Sequence, residues 1–327
     1  MENQNAIIDL AIDLAKGSVA TYSKEEANEK LREALNKLTG SADGKFDAKK
    51  FRRNKNEIFE IIEEVVDARV EEGIKDQFDQ FVDYRSTAFG DKLSFTPESD
   101  ELFEVAKIAG GTNNLRRQRI AEGQPYQIDT DWYGVAIYEE LERFLAGRVD
   151  WVKLVNRVET SFKAKITEQI FNAVKAAYNG LTAPYKHTGS WDVDEFNTLV
   201  EHVRAQTGMN PMVIGTRLAV QKAVPAYVSE DMKNSRNADG YFKEVDGITF
   251  GIMPQAHKVG TDEFAIDNNF LLVLPNGNEK IVKFVMEGVA LIDEAIGNKD
   301  DSKEYELRKK YGVGVETAAK YGVYILA

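Results

Sequence analysis

The segment from Arg148 to Asn179 constrains the fold more than any other part of the chain, because it contains neither proline nor glycine. Its apolar residues recur at spacings of three and four, which is typical of a helix with one buried face. Such a helix would be about 48 Å long and would have to cross an entire lobe. Gly180 marks its end, and no heptad repeat is sustained along it. The apolar positions are Trp151, Val155, Val158, Phe162, Ile166, Ile170, Ala173 and Ala177.

Two shorter amphipathic helices are predicted at the N-terminus. The first covers Ala6 to Lys16, and the second begins at a capping box made by Ser23 and Glu26 and stops at Gly40. Each apolar stripe needs a surface to cover it. That surface is either the body of the same chain or a neighbouring copy, and the sequence leaves both interpretations open.

A third helix is predicted from Asn56 to about Tyr84, after a basic linker-like stretch from Gly40 to Lys55. One face of this helix is apolar and the rest is crowded with carboxylates. The acidic residues include Glu60, Glu63, Glu64, Asp67, Glu71, Glu72 and Asp76. Like charges at helical spacing cost stability. The charged face is therefore either solvated or covered by a basic partner.

From Asp91 the pattern changes to strands. A strand is predicted from Leu102 to Ala109, then a glycine-rich turn, then a basic strand carrying Arg116, Arg117 and Arg119. This hairpin has few large apolar residues, and an isolated hairpin is at best marginally stable in water. It must lie against the rest of the chain or dock on another molecule. A long alternating strand from Tyr126 to Tyr138 follows.

The second half of the chain alternates between helices and strands. At 327 residues the chain exceeds the roughly 250–300 that one core supports, so two lobes are expected. The predicted helices are Asp192 to Gln206 and Thr216 to Val228, the predicted hairpin is Tyr241 to Pro254 around Asp246-Gly247, and the predicted strands are Met212 to Gly215, Phe270 to Leu274, Lys280 to Ile296, Glu304 to Val315 and Tyr321 to Leu326.

Composition argues against several classes of function. The formal net charge is −12, which disfavours direct recognition of nucleic acid. There is no cysteine, so disulfides, thiolate nucleophiles and cysteine-based metal sites are excluded. The three histidines lack metal-ligand spacing, and no nucleotide-binding or hydrolase motif occurs. We therefore predict no metal, no cofactor and no enzymatic activity. Gly312-Val313-Gly314 is interpreted as a twist or close-packing site rather than a phosphate loop, and Trp132, Trp151 and Trp191 as core or interface anchors.

The order of elements resembles the major capsid protein of tailed bacteriophages, and this resemblance implies the HK97-like fold, which is of the α+β class. The local sequences that carry this resemblance are Trp132 to Leu141, which leads into the long helix, and the closing runs Tyr311 to Glu316 and Tyr321 to Leu326. The resemblance implies an N-terminal arm (1–55), an extended loop (91–130), an axial domain (181–277) and a peripheral domain that includes the spine helix (56–90, 131–180 and 278–327).

The resemblance also implies a function. The chain would self-assemble, as hexamers and pentamers, into an icosahedral shell that encloses phage DNA. It would be assembled in the host cytoplasm with scaffolding, portal and decoration proteins, and it would reside in the virion. The loop residues Arg116, Arg117 and Arg119 would contact Glu63, Glu64 and Asp67 of the next subunit. Two alternatives remain at this point: an encapsulin-like nanocompartment shell and an acidic hydrolase-type enzyme.

Overall fold

The fold is that of a computed structural model, which describes most of the chain. The described residues are 2–18, 23–41, 43–79, 81–96, 103–105, 107, 117–119, 124–138, 140–148, 150–258, 260–276, 280–294, 304–316 and 321–327. The helices are α1 (Glu2–Lys16), α2 (Lys24–Leu38), α3 (Ala48–Phe78), α4 (Glu140–Leu145), α5 (Trp151–Asn179), α6 (Val193–Thr207), α7 (Arg217–Val220) and α8 (Glu230–Asp239). The strands are β1 (Val82–Thr87), β2 (Ser94–Phe95), β3 (Tyr126–Gln127), β4 (Asp131–Tyr138), β5 (Lys186–Gly189), β6 (Pro211–Thr216), β7 (Glu244–Val245), β8 (Ile248–Met253), β9 (Phe270–Pro275), β10 (Val282–Glu294), β11 (Glu304–Val315) and β12 (Gly322–Leu326).

Helix α5 confirms the predicted long helix, with a start three residues later than expected. The Asp150 carboxylate caps it by accepting a hydrogen bond from the Val152 amide, at 2.8 Å. The predicted apolar face is buried from Trp151 to Ile170. Beyond that point the buried positions are Phe171, Val174 and Tyr178, and the last two lie one residue after the predicted alanines. The helix is about 44 Å long and underlies much of the first lobe.

Helices α1 and α2 pack on the body of their own chain. Ala11, Leu14, Leu31 and Leu35 are fully buried in the same core as α3 and α5. The Trp151 indole N–H donates to the Ala11 carbonyl oxygen at 3.1 Å, and the predicted capping box between Ser23 and Glu26 is present. The apolar stripes of the N-terminal arm are therefore covered within the subunit.

The predicted acidic helix is present as α3, but both of its ends differ from the prediction. It begins at Ala48 because Asp47 accepts hydrogen bonds from the amides of Lys49 and Lys50. The basic stretch that we interpreted as a linker thus forms its first turns, and Asn54 kinks the helix two residues before the predicted start at Asn56. It ends at Phe78 rather than near Tyr84, because Val82–Thr87 forms β1 and pairs in parallel with the first half of β10.

The first sheet has the strand order β1-β10-β11-β4. Strands β10 and β11 pair antiparallel, with a bulge between Glu287 and Leu291, and β4 pairs antiparallel with β11. Helices α3 and α5 pack on one face of this sheet and enclose the larger core. The predicted strand from Tyr126 to Tyr138 is instead split into β3 and β4, because β3 leaves the sheet to pair with β2.

The second sheet has the order β5-β12-β9-β6-β8-β7 and packs against α6 around a separate core. The predicted hairpin is confirmed, and its turn residues Asp246 and Gly247 both have positive φ. Strand β12 pairs with β5 and β9, so it belongs to this sheet rather than to the peripheral domain in which the resemblance placed it. The predicted helix from Thr216 to Val228 is wrong beyond Val220, and α8 was not predicted.

Candidate functional site at the base of the extended loop

The base of the extended loop folds back across the outer face of the first sheet. Ile128 and Asp129 lie directly over two glycines of β11. A Cβ atom at Gly312 would collide with the Asp129 carbonyl oxygen, and one at Gly314 would lie 2.8 Å from Ile128. Only glycine lets the loop approach this closely. Of the two interpretations of Gly312-Val313-Gly314, a twist or a close-packing site, the structure confirms close packing.

A small apolar cluster holds the two sides of the loop base together. Phe95 and Ile128 are buried against Val285 of β10, and Leu93 and Tyr126 pack around them. The rings of Phe95 and Tyr126 are stacked, with centroids 5.7 Å apart. This cluster lies on the sheet face opposite α3 and α5, so the loop base has an apolar attachment of its own.

The Glu287 carboxylate joins the loop base to the sheet through polar contacts. It accepts hydrogen bonds from the Gly90 amide at 2.9 Å, from the Lys310 ammonium at 2.7 Å and from the Thr130 hydroxyl. Lys310, then Thr130 and Gly90, stabilise the ionised form and lower the Glu287 pKa to about 2. Residues from both ends of the loop thus share one buried charge on β10.

The described part of the loop beyond this base presents apolar side chains to solvent. The Gln118 amide bridges the two arms by exchanging two hydrogen bonds with the Glu104 backbone, each 2.8 Å long. On either side of Glu104, Phe103 is 54% exposed and Val105 is 94% exposed. Residues 103–105, 107 and 117–119 are not in strands, and the rest of the predicted hairpin lies outside the described residues.

The six predicted contact residues fall into two groups. Arg116 lies outside the described residues, and Arg117 and Arg119 are exposed on the loop. On α3, Glu64 is exposed, whereas the contacts of Glu63 and Asp67 involve β10 and β11 rather than the loop arginines.

Glu63 and Asp67 cover an edge of β10 that β1 leaves unpaired. The Ile292 amide donates to Glu63 at 2.6 Å, and the Ala290 amide donates to Asp67 at 2.8 Å. Asp67 also pairs with Lys309, which is buried. Burial raises the pKa of Glu63, the Ile292 hydrogen bond opposes that rise, and repulsion from Asp67 adds to it. Sequence reasoning found these carboxylates but could not show that they bind backbone amides.

A groove of about 300 Å³ lies beside these carboxylates, between α1 and α3. It gathers Glu60, Glu63, Glu64 and Asp67, which is the kind of pocket that the hydrolase alternative predicts. Two of these carboxylates, Glu63 and Asp67, are already engaged by the backbone amides of β10.

In the part of the chain that the structure describes, no group of three or more histidine, aspartate or glutamate side chains could hold a metal ion. The described helices include none long and apolar enough to cross a membrane. Of the three tryptophans, Trp151 is fully buried, Trp191 is partly buried, and Trp132 is 48% exposed and stacked on Phe89.

Several solved structures resemble this one at low sequence identity. The mature capsid of bacteriophage PhiM1 has 12% identity and a TM-score of 0.48, with 76% of this chain and 86% of that chain covered. A virus-like particle from Pyrococcus furiosus has 10% identity and a TM-score of 0.46, covering 80% and 98%. The SrpI encapsulin of Synechococcus elongatus has 10% identity and a TM-score of 0.43, covering 74% and 84%. No curated protein matches the chain.

A family model matches residues 6–324, almost the whole chain. Its description is "SPbeta prophage-derived putative capsid protein YonB". The match spans both lobes and the loop base that joins Gly90 and Thr130 to Glu287. The chain therefore belongs to the YonB family of prophage-derived capsid proteins, and its fold is of the α+β class.

Proposed function

We propose that this capsid protein forms its shell by projecting the extended loop of each subunit onto the next subunit. The observation that supports this proposal is that the base of the loop is attached to the sheet while side chains farther along the loop are exposed. Glu287, Gly312 and Gly314 fix the base to the sheet, while Phe103 and Val105 remain exposed. Exposed apolar side chains on a loop that has its own attachment favour docking on another molecule.

The electrostatic part of this contact joins the loop arginines to α3 of the next subunit. Of the three predicted acidic partners, Glu64 fits this role best because its side chain is exposed. Glu63 and Asp67 contribute negative potential to the same surface while they bind β10. In this arrangement Arg116, Arg117 and Arg119 would neutralise part of the repulsion along the acidic helix.

The wider assembly follows from the same proposal. The shell would consist of hexamers and pentamers, with the axial lobe around their symmetry axes and the long helix supporting the periphery. Assembly would occur in the host cytoplasm, and scaffolding, portal and decoration proteins would join the particle. The subunit would have a structural role and no catalytic one. The family description favours a phage capsid over a nanocompartment shell.

Electron microscopy of purified protein tests the proposal. Replacing Arg116, Arg117 and Arg119 with glutamate should prevent capsomer or shell formation at low salt, because each loop would then repel α3 of its neighbour. A matched control replaces three exposed cations at the start of α3, Lys49, Arg52 and Arg53, and changes the net charge equally. Adding Glu64→Arg to Arg117→Glu should restore assembly that Arg117→Glu alone weakens. Normal particles from the triple loop variant would refute the electrostatic contact.

A further inference from the structure

Strand β4 forms the outer edge of the first sheet and pairs only with β11 among the described residues. It is eight residues long, and from Trp132 to Tyr138 it contains no charge and no proline. Trp132, Gly134 and Ala136 are exposed on the outer face, while Tyr133 and Val135 are half-buried on the inner face. Unpaired backbone groups along an apolar edge are a template for another strand.

The other described sheet edges carry the protections that β4 lacks. Strand β1 bears the charged side chains of Asp83 and Arg85, and β5 and β7 are only four and two residues long. The distal edge of β10 is covered by the carboxylates of Glu63 and Asp67. Short strands, edge charges and covering side chains are the usual means of preventing edge-to-edge pairing. Their absence from β4 singles out this edge for a partner.

We propose that the free edge of β4 pairs antiparallel with β4 of a second copy of this chain, across a two-fold axis. The two four-stranded sheets would then form one continuous eight-stranded sheet. A two-fold axis normal to the sheet keeps the outer faces of both copies on the same side. The choice of a second copy rests on the capsid function, which requires the chain to bind itself.

The sequence of β4 is complementary to itself in this arrangement. With Val135 on the axis, Trp132 stands opposite Tyr138, Gly134 opposite Ala136, and Tyr133 opposite Ile137. Two small residues, Gly134 and Ala136, thus meet on the exposed face, where they leave room for close approach of the two strands. Asp131 lies at the end of this register, so the uncharged stretch from Trp132 to Tyr138 forms the paired part.

A single cysteine tests this geometry, because the natural chain has none. In Val135→Cys the two copies of the new thiol would face each other at a distance that a disulfide can span. Mild oxidation of assembled particles should convert most of the chain to a covalent dimer. The matched control is Ser86→Cys, at an exposed position on the opposite edge of the same sheet, and it should remain monomeric.

The experiment separates this proposal from the shell function. If wild-type particles form and Val135→Cys particles give no covalent dimer, pairing of β4 with its own copy is wrong while the shell function stands. A head-to-tail contact would also give no dimer, because a residue does not meet its own copy in such a contact.

A second measurement applies to the unassembled chain and does not depend on shells. By analytical ultracentrifugation, Ala136→Lys should weaken the dimer about tenfold, because each copy then places a charge on the shared edge. Ser86→Lys, on the opposite edge of the sheet, should leave the dimer unchanged. Equal weakening by Ala136→Lys and Ser86→Lys would refute the proposal, as would a wild-type chain that remains monomeric at high concentration.

Discussion

Replacing Glu287 with glutamine should loosen the base of the extended loop. The side chain keeps its shape but loses the charge that binds Lys310, Thr130 and the Gly90 amide. A pKa that falls from 4.5 to about 2 corresponds to about 3 kcal/mol of preference for the ionised form. Because the glutamine amide resembles the neutral form, we expect a loss of about 2–3 kcal/mol, which exceeds a typical surface substitution.

Hydrogen exchange at the Gly90 amide measures this loss directly, since that amide donates to Glu287. Its exchange should accelerate about 30- to 150-fold if local opening governs it. Asp293→Asn is a matched control on the same strand, where the carboxylate forms a surface ion pair with Arg308. It should change stability by less than about 0.5 kcal/mol. Exchange at Gly90 within threefold of wild type in Glu287→Gln would refute the reasoning.

The pH dependence of Gly90 protection in the wild-type protein tests the contribution of Glu287 independently. The folded-state pKa of Glu287 lies below its unfolded value, so its contribution is fully present above about pH 4.5. That contribution should be lost as the pH falls towards about 2. Protection of the Gly90 amide should decline over this window in wild type and stay flat in Glu287→Gln.

Two further substitutions test other parts of the structure. Gly312→Ala should destabilise the protein by about 2 kcal/mol in urea unfolding, because the new methyl group collides with the Asp129 backbone. The control, Gly180→Ala at the end of α5, should be tolerated. Equal effects of the two substitutions would contradict the close-packing interpretation. Glu63→Gln keeps an acceptor for the Ile292 amide and removes a carboxylate whose pKa is raised by burial, so it should raise the urea midpoint at pH 7. The raised folded-state pKa of Glu63 favours the folded state below about pH 4.5, and this advantage is lost as the pH rises. The gain in urea midpoint from Glu63→Gln should therefore vanish near pH 4. A gain of the same size at pH 4 would contradict the assignment.

The elements that the sequence predicts well are those determined by local pattern. The apolar spacing of α5, the Ser23 capping box and the Asp246-Gly247 turn all depend on residues within a few positions of each other. Helix α8 was missed because none of its residues is buried, so it has no apolar stripe to detect.

The parts of the fold that could not be predicted depend on contacts between residues that are far apart in the sequence. Strand β1 looks like the end of an acidic helix until Val82 is placed beside Val282, two hundred residues away in the chain. The same holds at the loop base, where Glu287 joins Gly90, Thr130 and Lys310. Among the many carboxylates in the sequence, nothing local distinguishes Glu287, and its role emerges only from the pairing of β10 with its neighbours.

The loop base packs on Gly312 and Gly314 and is hydrogen-bonded to Glu287. This attachment has a thermodynamic consequence for how strongly subunits bind one another. Ordering a loop during association subtracts conformational entropy from the free energy of each new contact. Here the base of the loop is ordered when the subunit folds, so that part of the entropy loss occurs before any two copies meet. Each contact can then consist of a few side chains and remain individually weak. A shell made of many weak, equivalent contacts can release a misplaced subunit and still be stable once closed.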